Sequence, residues 1–280
     1  MEEVSAPSTG TRPLTLMAVH AHPDDEAIGT GGTLARYSAE GVRTVLVTCT
    51  NGEQGDDSGG VKPGEEGHDP AQVAERRLAE LRHAALLLGV AHLELLGYRD
   101  SGMDGWSANQ DPGVFCNVPL AEAAESLAAL MRRYRPQVVV TYDEHGGYGH
   151  PDHIQAHRAT VAAAEATGIP EKLYYSAFPR SAFADLRLRL KEAGTEAEEL
   201  GLSEDFGVPD DVITTTVDVS GYVSRKREAL FAHESQSRNF GFLTKLPDEV
   251  LVVGLSREWF TLRAAPAGLA GEEDLFAGLR

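Results

Sequence analysis

Two short stretches of the chain concentrate groups that can do chemistry. The first, His20-Ala21-His22-Pro23-Asp24-Asp25-Glu26, holds two imidazoles and three carboxylates within seven residues. Such a density of charge is costly to bury unless something pairs it, and a divalent metal does so directly. His22 and Asp25, three apart at a turn, can reach one ion together. Asp24, their neighbour, points elsewhere and is free to meet a water held beside the ion. The second stretch is His145-Gly-Gly-Tyr148-Gly-His150-Pro151-Asp152-His153. Pro151 suits the first position of a helix, where its missing N–H costs nothing. That places His150 at the cap and His153 in the first turn. The plainer alternative for each stretch is a capped helix N-terminus with incidental histidines. Two such stretches in one chain weigh against it. Two histidines and one carboxylate suit a catalytic zinc, one per chain, with a position left for water or substrate. Iron(II) or manganese(II) stays open by ligand type.

The elements that must position these residues follow from periodicity. Short apolar or β-branched runs at 14–20, 42–50, 92–96, 138–141 and 172–178 predict strands. Segments 26–40, 70–88, 120–134 and 153–167 predict helices, with Gly41, Gly89 and Gly168 as stops. This alternation predicts an α/β, Rossmann-like three-layer sandwich with a mostly parallel sheet. In such a sheet ligands bind outside the carboxyl ends of the strands. Residues 20–26, 51–55, 99–103 and 143–153 all follow strands there, so one crevice collects them. A late strand is expected at 212–219 and a late helix at 222–233. Residues 192–211 are acidic and read as a surface insertion, and 264–280 are weakly patterned. The expected organisation is a loose tail over 1–13 and one α/β domain over 14–280.

Composition sets outer bounds. The formal charge of −18 argues against nucleic acid and anionic membranes as partners. Two cysteines, Cys49 and Cys116, make no disulfide framework, and Cys49 sits inside an apolar run. The first residues lack the basic and apolar regions of a signal peptide, and no apolar run is long enough for a membrane span, so the cytoplasm is the expected compartment. The expected partner is a small molecule, with a homo-oligomer left open.

On His22-Pro-Asp-Asp-Glu26 after an apolar strand, and on His150-Pro-Asp-His153 after Asp143-Glu-His-Gly-Gly-Tyr-Gly149, the chain resembles the PIG-L/LmbE family of zinc-dependent amino-sugar deacetylases. The resemblance extends from about Leu14 to Phe178, with an echo over 226–236. The mycothiol-pathway members, a deacetylase and a conjugate amidase, are the most similar group, on Arg99-Asp-Ser-Gly-Met103 and on 148–153. The resemblance implies that His22, Asp25 and His153 are the metal ligands and Asp24 the general base. It implies that His150 stabilises the oxyanion and protonates the leaving amine, that Asp152 orients and charges His150, and that Tyr148 adds an oxyanion hydrogen bond. Arg77 and Asp100 would hold substrate hydroxyls or an anionic group. The implied reaction is removal of acetyl from an N-acetylglucosamine-type conjugate, inositol- or malate-linked, in a low-molecular-weight thiol pathway. Alternatives are a conjugate amidase and an antibiotic-pathway deacetylase. Gly29 stands where the amidase is expected to carry a lysine, and the acidic loop 56–69 matches neither relative.

Other signals are weaker. Gly29-Thr-Gly-Gly32 is not a dinucleotide fingerprint, and close packing at glycine is the expected role. Asn51-Gly-Glu53 is expected to line the crevice. Residues 233–236 are expected to be structural or crevice-lining, and His157 to be either a second-layer or a plain helix histidine. A phosphoesterase would want a second metal. A non-catalytic sugar-binding module would have lost a ligand or the base, and none is missing.

Overall fold

The computed structural model describes residues 13–192, 207–236, 248–264 and 269–280. The expected tail, apart from Pro13, and most of the acidic insertion lie outside the described residues. Seven strands form one sheet in the order β3-β2-β1-β4-β5-β7-β6. They are β1 (Thr15–His20), β2 (Arg43–Thr50), β3 (His92–Tyr98), β4 (Val138–Thr141), β5 (Lys172–Ala177), β6 (Thr215–Asp218) and β7 (Arg257–Leu262). Strands β1 to β5 are parallel, and β7 runs antiparallel to both β5 and β6.

The helices, in chain order, are α1 (Asp25–Gly29), α2 (Gly31–Ala39), α3 (Pro70–Leu87), α4 (Leu120–Tyr134), α5 (Gly146–Gly149), α6 (Pro151–Thr167), α7 (Arg180–Glu192), α8 (Val223–Ala232) and α9 (Asp248–Leu255). They cover both faces of the sheet, which is why the central strands are unbroken apolar runs rather than alternating ones. The alternation lies in which layer a residue feeds. Leu16 and Ala18 of β1, Leu46 of β2, and Val138 and Val140 of β4 pack with Leu34, Leu81 and Leu230 of α2, α3 and α8. Met17, Val19, Val45, Val47 and Val139 pack on the other face with Leu127 and Met131 of α4 and Ala156 and Ala159 of α6. The period of two along each strand thus feeds two cores.

The predicted helix over 26–40 is two helices, broken at Thr30. Its Oγ1 is 2.8 Å from His20 Nε2 and donates to the Glu26 carbonyl at 3.2 Å. Gly32 explains its own type: a Cβ there would come within 2.5 Å of Val219 Cγ2. The late strand and helix fall where expected, within shorter limits. The antiparallel β7 and helices α7 and α9 had no counterpart in the sequence reading. Leu275 and Phe276, in the weakly patterned end, are buried in the first core. Among the described residues, no helix is long and apolar enough to cross a membrane.

Candidate active site

Strand order reverses around β1, with β2 on one side and β4 on the other. The two reactive stretches leave the carboxyl ends of β1 and β4, side by side at this switch point. The chain leaving β1 turns sharply at Asp24, which has φ 114°, a left-handed conformation uncommon outside glycine. The turn is held from two sides. Glu26 Oε2 accepts the Asp24 N–H at 3.0 Å, and Arg77 donates to Asp24 Oδ2 at 3.0 Å. Because of it, the carboxylates of Asp24 and Asp25 diverge.

The Asp25 carboxylate meets two imidazoles. Its Oδ2 lies 3.3 Å from His22 Nδ1 and 3.5 Å from His153 Nε2, and these two nitrogens are 3.3 Å apart. The far side of each ring fixes its tautomer. His22 Nε2 faces only acceptors, Asp152 Oδ2 at 3.2 Å and Asp100 Oδ1 at 3.5 Å, so it carries the proton. His153 Nδ1 donates to the Gly146 carbonyl at 3.2 Å. Gly146 must be glycine here, since it has φ 65° and a Cβ would lie 2.8 Å from His153 Cβ. Two lone pairs and a carboxylate oxygen therefore converge, which is unfavourable without a cation between them. The edges match the roughly 3.4 Å expected between ligands around a tetrahedral ion with bonds of about 2.1 Å. Other trios fall within 4.8 Å, namely His22, His150 and His153, and His22, Asp100 and Asp152. Asp100 and Asp152 lie on the protonated side of His22. The Nδ1 of His150 already accepts the Asp152 N–H at 3.1 Å. His22, Asp25 and His153 together could hold a metal through Nδ1, Oδ2 and Nε2.

A cavity of about 320 Å³ opens beside this group. His22, Asp24, Asp25, Arg77, Asp100, Tyr148 and His150 line it, and Trp106, Gln54 and Gln236 complete its rim. His153 and Asp152 lie behind it. A larger cavity of about 460 Å³ lies between loop 56–69 and α3 and shares only Asp56 with the first. It contains none of the expected site residues, so the chemistry belongs to the smaller one.

Charge within the site follows from burial and neighbours. Burial pushes the Asp24 carboxyl up, against the pull of Arg77, to about 6. Burial, together with His22 and His153, pushes the His150 imidazole down to about 3.

Two expected roles, those of Asp152 and Arg77, meet a different geometry. Asp152 does not present its carboxylate to His150. It accepts from His22 Nε2, from Ser101 N at 2.8 Å and from Ser101 Oγ, and it reaches His150 only through its backbone N–H. At the start of α6, the residue two past the cap has its amide against the cap side chain and its own side chain turned inward. Arg77 is buried and its guanidinium is committed to Asp24 Oδ2, to the Pro23 carbonyl at 2.6 Å and to the Gly52 carbonyl at 2.7 Å. Asp100 is buried, accepting from Gly102 N at 2.8 Å and Gln54 N at 3.2 Å. Of the 51–53 turn, Gly52 serves Arg77, while Gln54 to Asp56 line the cavity instead. Tyr148 is exposed, its ring 5.0 Å from that of His153.

Two contributors, Ser101 and Tyr142, had no counterpart among the sequence expectations. Ser101 clamps Asp152. Tyr142, the first residue after β4, donates to Asp25 Oδ2 at 2.7 Å. His233, read as structural or lining, is buried with Nε2 2.7 Å from Glu26 Oε1. Residue class and position after a strand end were the available signals for Tyr142 and Ser101. His157 bonds the Tyr142 carbonyl through Nδ1 at 2.9 Å.

Comparison with known proteins identifies the family. The PIG-L family model, described as GlcNAc-PI de-N-acetylase, matches residues 17–164. A protein of Acidothermus cellulolyticus named 1D-myo-inositol 2-acetamido-2-deoxy-alpha-D-glucopyranoside deacetylase is 44% identical over 277 residues, covering 95% of each chain. One of the same name from Thermobifida fusca is 42% identical over 289 residues, covering 94% of this chain and 98% of its own. Among solved structures, the N,N'-diacetylchitobiose deacetylase of Pyrococcus horikoshii shares the fold with a TM-score of 0.58 at 21% identity, over 91% of this chain and 87% of its own. With its family model spanning both reactive stretches and these relatives aligned along almost their whole length, the chain belongs to the PIG-L family, as a deacetylase that hydrolyses an amide bond.

Proposed function

We propose that the protein removes the acetyl group from an N-acetylglucosaminyl conjugate, with inositol as the leading aglycone, using one zinc ion held by His22, Asp25 and His153. The convergence of two tautomer-fixed imidazoles and one carboxylate at edges of 3.3–3.5 Å carries this reading. The names of the 44% and 42% identical relatives support the inositol-linked sugar. The donor set of two nitrogens and one oxygen suits zinc, and iron(II) or manganese(II) fit by the same ligand types. When bound, such a metal lowers the pKa of a water to about 7 and polarises a carbonyl.

The chain's own groups supply the rest. Asp24 is partly buried at the cavity wall, with Oδ2 held by Arg77, and takes the proton of the attacking water as general base. His150 lines the cavity with Nδ1 tied to the Asp152 N–H, so Nε2 is the nitrogen left for the substrate. Through its N–H it hydrogen-bonds the developing oxyanion, and the proton that Asp24 took from the water passes to the amine as the C–N bond breaks. Tyr148, exposed at the rim, adds a hydrogen bond to the same oxygen when substrate is bound. Asp152 keeps the His22 ring oriented, as partners of ligating histidines do. Asp100 and the rim residues remain for substrate hydroxyls. Amine release compared across free, inositol-linked, malate-linked and thiol-conjugated N-acetylglucosamine tests the proposal. The inositol conjugate should have the highest kcat/KM, and equal rates on the free sugar would refute selection by the aglycone.

A further inference from the structure

The two strand ends that bring the donors together are fastened by one side chain. Tyr142 follows β4 directly and is buried. Its phenolic oxygen accepts the Ala21 N–H at 2.8 Å and lies 2.7 Å from Asp25 Oδ2. The direction of both bonds is forced. An amide can only donate and a carboxylate can only accept, so the single phenol proton goes to Asp25. The ring of Tyr142 is stacked on that of His153, with centroids 4.1 Å apart and planes at 18°. The Tyr142 carbonyl accepts from His157 Nδ1 at 2.9 Å, which ties it to α6 one turn beyond His153.

We infer that Tyr142 is a positioning residue that presets the metal-binding donors, aiming the Asp25 carboxylate by its hydroxyl and setting the plane of His153 by its ring. The inference rests on the proposed ligand set. Without the hydroxyl, Asp25 Oδ2 keeps only the His22 N–H, which it accepts at 2.8 Å, and the carboxylate gains freedom to turn. Ordering it again then opposes metal binding. The Ala21 N–H also loses its acceptor, loosening the backbone immediately before His22. Both effects act on the affinity for metal, upstream of any turnover.

Tyr142→Phe isolates the hydroxyl, since the ring remains to lie on His153. Thr50→Val is the control. Thr50 donates its hydroxyl to the Ala21 carbonyl at 2.9 Å, at the same strand end, and makes no hydrogen bond to Asp25. Zinc affinity is measured by competition with a chromophoric chelator. Tyr142→Phe should bind zinc about 10- to 100-fold more weakly, while Thr50→Val stays within about twofold of the parent. An unchanged affinity in Tyr142→Phe, or an equal loss in Thr50→Val, overturns the inference. A parent protein that binds no zinc overturns the ligand set and the inference with it, whereas a zinc-binding parent matched by Tyr142→Phe overturns the inference alone. Should Tyr142→Phe fail to fold, the unmodified protein decides. Its Tyr142 Cζ carbon resonance, assigned by through-space contact with the Ala21 amide, must move when zinc is added, and an unmoved resonance refutes the inference.

Discussion

The Arg77 guanidinium holds the Asp24 carboxylate from behind, at 3.0 Å, while the same side chain bonds the Pro23 and Gly52 carbonyls. Arg77 comes from the middle of α3, Asp24 from the turn after β1 and Gly52 from the loop after β2. One buried cation therefore ties three segments to the proposed base. It also stands in a cradle that tolerates no side chain at Gly52, where a Cβ would lie 2.7 Å from Nη1.

Removing that cation should cost stability as well as rate. Arg77→Met leaves two carbonyls and a carboxylate without their donor in a buried place, which for a broken buried pair costs about 3–5 kcal/mol. Urea unfolding of parent and variant measures it. If Arg77 instead served mainly to bind substrate, KM would rise with little change in the unfolding midpoint.

Asp24→Asn should keep the metal and lose on the order of 10²-fold or more in kcat, because an amide cannot accept the proton of water. The asparagine can still accept the Arg77 hydrogen bond through its carbonyl, but the buried guanidinium loses its counter-charge, so the fold should be kept at reduced stability. Metal content together with single-turnover rates separates the outcomes. A metal-replete variant with near-parent kcat removes Asp24 from the role of base.

His150→Asn is a sharper test of the oxyanion donor than truncation to alanine. Asparagine is a good N-cap, so the start of α6 should be retained while the imidazole beside the cavity is lost. A fall in kcat of about 10²- to 10³-fold, as for loss of an oxyanion donor, is expected with thermal stability close to the parent. A change confined to KM would assign His150 to substrate binding.

Much of this arrangement was legible in the chain before any coordinates. The helix Leu120–Tyr134 and the strand Val138–Thr141 lie where their patterns put them, because an amphipathic fifteen-residue helix and a run of β-branched residues have little competition. The four strand ends that were expected to converge do so. What could not be read was direction. Asp152 follows His150 by two residues, yet the orientation of its carboxylate depends on Ser101, which comes from a loop fifty-one residues earlier in the chain. The same holds for Arg77: its position on α3 was plain, but its commitment to Gly52 and Pro23 depends on how two loops fold. Tyr142, between the strand expected at 138–141 and the loop after it, carried no expectation, and only the β1–β4 pairing puts its hydroxyl on Asp25. Strand β7 was missed because an antiparallel strand inserted between β5 and the edge strand β6 breaks the β-α alternation from which the rest was inferred.

Stripping the metal should destabilise the fold. The donors come from the ends of two strands, so an ion bound by the folded state alone stabilises it by mass action, by about 2.7 kcal/mol at a free concentration one hundred times Kd. Thermal unfolding with chelator, and after zinc is restored, gives the difference. His153→Ala should show almost none of it, and an undiminished zinc-dependent rise in Tm in that variant would remove His153 from the ligand set.

The last prediction concerns pH and the His233–Glu26 pair, which is fully buried behind Asp24 with Nε2 and Oε1 2.7 Å apart. Burial alone would lower the His233 pKa from its ordinary 6.5, but the neighbouring Glu26, with its hydrogen bond, raises it above that value. A raised pKa means the folded protein binds this proton more tightly than the unfolded chain does. The stabilisation is then complete below the unfolded value, near 6.5, and is lost as pH rises through the higher folded value. Because Glu26 Oε2 also accepts the Asp24 N–H, the strained turn that presents the base shares this dependence. His233→Gln can still donate to Glu26 but carries no titratable charge. Urea midpoints of parent and variant, followed from about pH 5.5 to about pH 9, should differ most at the acid end and converge as pH rises. A gap that stays constant, or that widens with pH, would show that His233 is neutral in the folded protein and that Glu26 is held by an uncharged hydrogen bond instead.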